Sequence, residues 1–118
     1  MHTQTYRTLI KQIMTEYATL AAQQPMPGVE TLLAFDEERD QYLWLQVGWA
    51  GHRRVQGITL HVRLLNGKIQ VEQDWTEDGI ATDLLQAGVP PEDVLLAFHE
   101  PEPAHPAALL PGEVGTNR

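Results

Sequence analysis

Hydrophobic residues recur every three or four positions at the start of the chain, which predicts an amphipathic helix from about Thr5 to Gln23. The apolar stripe of this helix consists of Tyr6, Leu9, Ile10, Ile13, Met14, Tyr17, Leu20 and Ala21. The segment from Pro25 to Gly28 ends it, because proline cannot continue the backbone hydrogen bonding. We therefore expect one face of this helix to pack on the remainder of the fold.

The pattern then changes to a period of two, which is typical of β-strands. It predicts four strands, over about residues 29–35, 42–49, 58–64 and 68–75. Asn66 and Gly67 lie between the last two and are a strong hairpin signal, since both residue types tolerate positive φ. Because the connections are short, we expect an antiparallel meander.

Alternation along the second strand predicts which of its side chains enter the core. The residues that share one side are Leu43, Leu45, Val47 and Trp49. Core packing is therefore expected for Trp49. Trp44 lies on the other side with Tyr42, and we expect it at a partner or oligomer interface, where aromatic residues are enriched. An apolar second face predicts a sheet that is covered on both sides, which favours a homo-oligomer.

A second helix is predicted after the strands, with Thr76 as its N-cap and with Glu77 and Asp78 favourably placed in its first turn. Gly88 is expected to end this helix. The apolar run at residues 94–98 fits either a fifth strand or a short helix. The sequence thus predicts one α+β domain over residues 1–99. Residues 100–118 are rich in proline and alanine, and we expect an extended or disordered tail.

The charge balance favours protein partners over nucleic acid. Sixteen acidic and eight basic side chains give a formal net charge of −8, and only two residues are lysines. Duplex DNA is polyanionic, so we expect DNA to be contacted only indirectly. No apolar run approaches the roughly 18 residues that a membrane helix needs, and no secretory signal is recognisable. With no cysteine in the chain, a cytoplasmic location is expected.

Catalytic templates fit the chain poorly. The sequence contains no cysteine and no serine, and none of its threonines lies in a nucleophile-elbow pattern. A restriction-type nuclease needs an acidic residue two positions before a lysine, yet Leu9 precedes Lys11 and Asn66 precedes Lys68. We therefore predict a protein that is not an enzyme and that carries no cofactor and no metal.

Three clusters remain as candidate binding residues. The acidic segment Asp36, Glu37, Glu38 and Asp40 lacks the spacing of a calcium loop, so a solvated hairpin tip is favoured over a metal site.

Arg53 and Arg54 either bind a carboxylate or phosphate of a partner or form salt bridges with that acidic hairpin, and the sequence leaves both readings open. His61 is expected on the strand face opposite Leu60 and Val62. There a structural, hydrogen-bonded histidine is favoured over a catalytic base or a ligand.

The ordered set of segments resembles the XisI family of small cyanobacterial proteins. The resemblance runs from the first helix to about His99. Its most specific segments are Phe35-Asp36, Tyr42-Leu43, Val47-Gly48-Trp49, Arg53-Arg54-Val55, His61, Asn66-Gly67-Lys68-Ile69, Thr76-Glu77-Asp78-Gly79-Ile80-Ala81, Gly88-Val89-Pro90, Val94-Leu95 and Phe98-His99. Gln70 departs from the pattern, because an aromatic residue often stands there.

This resemblance implies an α+β fold and a role as an excision controlling factor of the fdxN element, a DNA insert removed during heterocyst development. It also implies a companion protein, XisH, which looks like a restriction-type endonuclease. The leading hypothesis is a non-enzymatic regulatory subunit whose acidic hairpin meets a basic surface of that partner. The alternatives are a direct DNA-binding accessory factor that uses Arg53, Arg54, Arg63 and Lys68, and a small ligand-binding domain centred on His61.

Overall fold

Helix α1 spans Thr3–Ala21 in the computed structural model, which describes residues 2–99. The predicted helix is confirmed, with both ends two residues earlier than expected. Its buried residues are Tyr6, Ile10, Ile13 and Met14. Leu20, at the end of the predicted stripe, is 62% exposed. Tyr17 and Ala21, nearer the C-terminal end of α1, are partly buried against the same core.

Five strands form one sheet in the order β1-β2-β3-β4-β5. Their bounds are β1 Val29–Asp36, β2 Gln41–Ala50, β3 Arg53–Leu65, β4 Lys68–Asp74 and β5 Val94–Leu96. The first four pair antiparallel, which confirms the predicted meander. The fifth strand pairs parallel to β4, so the sheet is mixed. The connection between β4 and β5 contains a second helix, α2 (Ile80–Gln86), and a crossover of this length allows β5 to run parallel to β4.

Helix α2 spans Ile80–Gln86, and its start differs from the prediction. The N-cap position belongs to Gly79, so the prediction of Thr76 is wrong. The buried carboxylate of Asp74 takes over the capping role, since it accepts hydrogen bonds from the backbone N–H groups of Ile80 (2.7 Å) and Thr76 (2.8 Å). Gly88 does end the helix, with φ +100°, as predicted.

The two faces of β2 are the reverse of the prediction. Tyr42 is fully buried and Trp44 is 8% exposed, and both face the helices. Trp49 is 53% exposed, so its predicted core position is wrong, and so is the predicted surface position of Trp44. Both sets of residues on β2 are apolar, and alternation alone cannot tell which face the helices cover. The face with Leu43 and Trp49 is the one that no helix of residues 2–99 covers.

A close backbone contact joins the start of β1 to β2. Gly48 has φ +147°, and a Cβ atom on it would lie 2.0 Å from the carbonyl oxygen of Gly28. The Trp49 N–H donates to the same Gly28 oxygen at 2.8 Å. Only glycine fits at position 48, so the pairing register at this end of the sheet depends on it.

Neither helix in the described part of the chain is long and apolar enough to cross a membrane. The tail predicted over residues 100–118 lies outside the described residues.

Candidate partner-binding surfaces

Asp40 belongs to the structure of the β1–β2 turn. Its carboxylate accepts hydrogen bonds from Arg7 Nε (2.7 Å) and Nη2 (3.0 Å) and from the Tyr42 hydroxyl (2.9 Å). The hydrogen bonds from Arg7 hold the pKa of Asp40 below its usual range. Because the side chain is only 18% exposed, this carboxylate fastens the turn to α1 and offers little to a partner.

Two further acids of the predicted acidic hairpin are also paired. Asp36 accepts hydrogen bonds from the backbone N–H of Arg39 (3.0 Å) and pairs with its guanidinium at 3.0 Å. Glu37 pairs with Lys11 of α1 at 3.0 Å. Glu38 is exposed and has no partner within residues 2–99. The hairpin is therefore largely charge-compensated, which weakens the hypothesis that it presents four free acids to a basic surface.

Arg53 and Arg54 begin β3, at the end of the sheet opposite to the acidic hairpin. The ten-residue strand β2 separates the two turns, a distance of about 30 Å at roughly 3.3 Å per residue. Of the two alternatives that the sequence left open for these arginines, salt bridges to the acidic hairpin are therefore wrong. Arg54 instead donates to the Gly48 carbonyl (3.3 Å) and lies 5.7 Å from the ring centre of Trp49. Arg53 is exposed and has no partner in the described residues.

His61 lies half-buried on the uncovered face of the sheet. Its Nε2 is 2.8 Å from Gln41 Oε1, and burial lowers the pKa of the imidazole. Arg63, next along this face, pairs with Glu72 at 3.1 Å, and Gln70 donates to the same carboxylate at 2.7 Å. Every member of this polar group is hydrogen-bonded, a geometry that favours the structural interpretation of His61.

The set of cations proposed for direct DNA binding does not form a free basic surface. Arg63 is paired with Glu72, and Lys68 pairs with Asp93 at 3.3 Å while donating to the Glu92 carbonyl at 3.1 Å. Clustered free cations are what a phosphate backbone requires. The geometry therefore gives no support to the DNA-binding alternative.

A groove of about 620 Å³ lies between the C-terminal part of α1, the covered face of the sheet and the β4–α2 connection. We call it the aromatic groove, and define it by Tyr17, Trp44, Trp75, Glu77, Asp78 and Asp83. The rings of Tyr17 and Trp44 lie 6.0 Å apart at 41°, and the Tyr17 hydroxyl donates to Asp83. Trp75 is 56% exposed. This groove combines aromatic surface with three carboxylates.

Two features of the aromatic groove bear on what it can bind. Glu77 and Asp78 are exposed, and their carboxylates have no partner within residues 2–99. The indole Nε1 of Trp44 is buried without a hydrogen-bond acceptor, the one such side-chain atom in the described part of the chain. An unsatisfied buried donor costs about 1–3 kcal/mol. The groove therefore combines negative charge with a wall residue, Trp44, whose buried indole N–H has no acceptor among residues 2–99.

Sequence reasoning assigned the groove residues to other roles. Glu77 and Asp78 were expected to stabilise a helix start, and Trp75 was placed at the end of a strand. The signal available was the short run Trp75-Thr76-Glu77-Asp78, in which an aromatic residue precedes two acids. Its meaning depends on Tyr17 and Trp44, which only the packing of α1 on the sheet brings to the same place.

Comparison with known proteins gives consistent results. A family model described as XisI protein matches residues 1–106. The chain is similar to the crystal structure of a XisI-like protein from Anabaena variabilis ATCC 29413, with 35% identity over 82% of this chain and 87% of that one, at a TM-score of 0.76. It is also similar to the fdxN element excision controlling factor XisI of the same organism, with 45% identity over 81% of this chain and 91% of that one, at a TM-score of 0.72. No curated protein matches.

Proposed function

The chain belongs to the XisI family, and we propose from this premise that it is a cytoplasmic, non-enzymatic regulatory subunit in the excision of a DNA element. The observation that carries the proposal is the 45% identity, over most of both chains, to a protein named an excision controlling factor. We propose that such a factor acts on the protein that performs the excision reaction. The target of this chain would then be a protein partner.

The arrangement of polar side chains supports a binding role. Within residues 2–99, no three His, Asp or Glu side chains are grouped so that they could hold a metal ion. His61 is hydrogen-bonded to Gln41, and three of the acids in the β1–β2 turn are paired with cations. These groups stabilise the fold and are not arranged around a common reaction centre.

We propose that the partner is a nuclease-type protein of the XisH kind. The net charge of −8 suits an encounter with a protein that carries a basic surface, because complementary fields raise association rates. Among the described residues, Glu38 and the groove acids Glu77 and Asp78 are exposed carboxylates without a partner, and we propose that attraction acts from these positions. The partner's surface for DNA is the natural source of complementary charge.

We also propose that the chain forms a homo-oligomer through the uncovered face of the sheet. This face carries the exposed side chains of Leu32 and Trp49, with Leu43, Leu45 and Ile58 half-buried between them. An apolar face of this kind is typical of an interface. Replacing Leu32 and Trp49 by Lys should convert the oligomer to a monomer in analytical ultracentrifugation. A chain that sediments as a monomer without these changes would contradict this part of the proposal.

The central test is co-expression with the XisH-type protein, followed by size-exclusion chromatography. A stable complex in which the nuclease activity of the partner changes is the expected result. The salt dependence of association then tests the role of charge, and it should be steep if acids of this chain steer the encounter. Two folded proteins that elute separately at low salt would contradict the proposed function.

A mobility-shift titration with DNA serves as the control for the alternative role. The paired states of Arg63 and Lys68 predict no shift by this chain alone, even at low salt. A salt-sensitive shift that Arg53→Gln abolishes would favour direct DNA binding and remove the need for a nuclease partner.

A further inference from the structure

We propose that the aromatic groove binds an arginine side chain presented by a protein partner. The inference rests on the proposed function only in the identity of that partner, since the groove's preference for arginine is a property of this chain alone. The acids of the groove are distinct from the paired acids of the β1–β2 turn.

The aromatic surfaces provide the first part of the argument. Tyr17 and Trp44 are tilted against each other with their centroids 6.0 Å apart, and together they form one wall of the groove. Trp75, 56% exposed, forms part of the rim. A large exposed indole beside other aromatic rings attracts a flat cation, because the negative face of the ring interacts with positive charge. Arginine stacks on such surfaces more readily than lysine.

The carboxylates provide the second part. Asp83 is occupied by the Tyr17 hydroxyl, which leaves Glu77 and Asp78 with free oxygens at the rim. A guanidinium presents several N–H donors in one plane, so it can pair with a carboxylate while its face lies on an aromatic ring. A phosphate or carboxylate ligand would be repelled by the same three acids. Charge and shape thus favour a cationic, planar group.

The unsatisfied indole of Trp44 provides an independent third part. Its Nε1–H can only donate, and because this atom is buried, an acceptor oxygen of a ligand reaches it only if the neighbouring side chains move on binding. A free arginine side chain has no acceptor, but a peptide that carries arginine has backbone carbonyl groups. A protein segment therefore fits the groove better than a polyamine or a metal ion, neither of which offers an acceptor.

The chain contains its own probes for the test. Each of its three tryptophans gives an indole N–H resonance, and single Trp→Phe variants assign them. We would titrate the full chain with Nα-acetyl-arginine methylamide and, in parallel, with the corresponding amide of citrulline, which has the same shape without the charge. The expected result is a shift of the Trp44 and Trp75 resonances with the arginine compound and little change at Trp49, which lies on the other face of the sheet.

A double variant then identifies the acids. Glu77→Gln with Asp78→Asn should weaken binding of the arginine compound by about five-fold or more, since each exposed charge pair contributes up to roughly five-fold. The matched control is Glu30→Gln with Glu92→Gln, which removes two exposed acids outside the groove. It should leave binding unchanged. Equal shifts with citrulline, equal shifts at Trp49, or equal losses in both double variants would overturn the inference.

The same variants separate this inference from the proposed function. If the nuclease-type partner binds the wild-type chain and the Glu77/Asp78 variant equally well, the groove is not the site of contact and the regulatory role stands. If the arginine compound binds the groove but no complex with that partner forms, the groove inference stands and the identity of the partner is wrong. Thermal unfolding of each variant confirms that the groove remains folded.

Discussion

Replacing Asp40 by Asn tests whether this carboxylate stabilises the fold or serves a partner. Asn keeps the size of the side chain and tolerates the positive φ of 53° at this position, so the substitution removes little except the charge. Arg7 then loses its anionic partner, and the hydrogen bond from the Tyr42 hydroxyl becomes one between neutral groups. The change therefore isolates the electrostatic part of one three-residue contact.

The expected loss in the free energy of unfolding depends on how exposed the side chains of Arg7 and Asp40 are. Hydrogen bonds to charged groups contribute about 1.5–3 kcal/mol, whereas fully exposed ion pairs contribute about 0.2–1 kcal/mol. The side chains of Arg7 and Asp40 are 27% and 18% exposed, so the pair lies between these limits. We expect the free energy of unfolding to fall by about 1–1.5 kcal/mol. Urea denaturation measures it, and the slope of the transition should not change.

Glu38→Gln in the same turn is the matched control, because Glu38 is exposed and without a partner in the described residues. It should change the free energy of unfolding by less than about 0.5 kcal/mol. Equal effects of the two substitutions would refute the structural role of Asp40.

The effect of the Asp40 variant should also depend on pH. Because Arg7 lowers the pKa of Asp40, its stabilising contribution is present above the ordinary pKa of 3.8 and is lost as the pH falls through the lower folded value. The difference in the free energy of unfolding between the wild-type chain and the Asn variant should therefore become smaller below about pH 4. A difference in the free energy of unfolding that stays constant down to pH 2 would contradict the charge-based explanation.

Three other predictions follow from packing, backbone geometry and burial. Trp44→Ala should lower the free energy of unfolding by about 3–5 kcal/mol, whereas Trp49→Ala should change it by less than about 1 kcal/mol, both measured by urea denaturation. Gly48→Ala should cost more than about 3 kcal/mol by the same method, because its Cβ would lie 2.0 Å from a backbone oxygen. Gly57→Ala, which has open space around it, should be nearly neutral; similar losses for both glycines would disprove the steric argument. The pKa of His61, followed by NMR, should lie below its ordinary value of 6.5, so that stability falls as the pH drops from 6.5 towards the folded value; a titration at 6.5 or above would contradict the burial.

The order of elements was predictable from the sequence because it depends on local periodicity. The three- and four-residue spacing of α1, the alternation in β1 to β4 and the Asn66-Gly67 turn each act within a few residues. The fifth strand was harder, since a short apolar run carries no information about its neighbours. Its parallel pairing with β4 required the crossover through α2.

The sites depended on packing, and there sequence reasoning was less successful. Whether Asp40 is free or paired is decided by Arg7, which lies 33 positions away in the chain. The side chain that accepts a hydrogen bond from the start of α2 is that of Asp74, and not that of Thr76, which is nearer in sequence. The reason is that the chain turns at Gly79 before the helix begins. Contacts between distant segments determine both outcomes, and neither leaves a local signal.

The two faces of the sheet show most clearly what the sequence determined and what only the tertiary structure decided. The sequence by itself determined that Trp44 and Trp49 lie on opposite sides of β2, because neighbouring side chains in a strand alternate. It could not determine which side is buried, since both sides of β2 are apolar. Only the tertiary structure decided that α1 and α2 cover the side of Trp44, and so joined Tyr17, Trp44 and Trp75 with three acids in one groove. The physical reason is that burial is a property of the assembled layers and not of the strand.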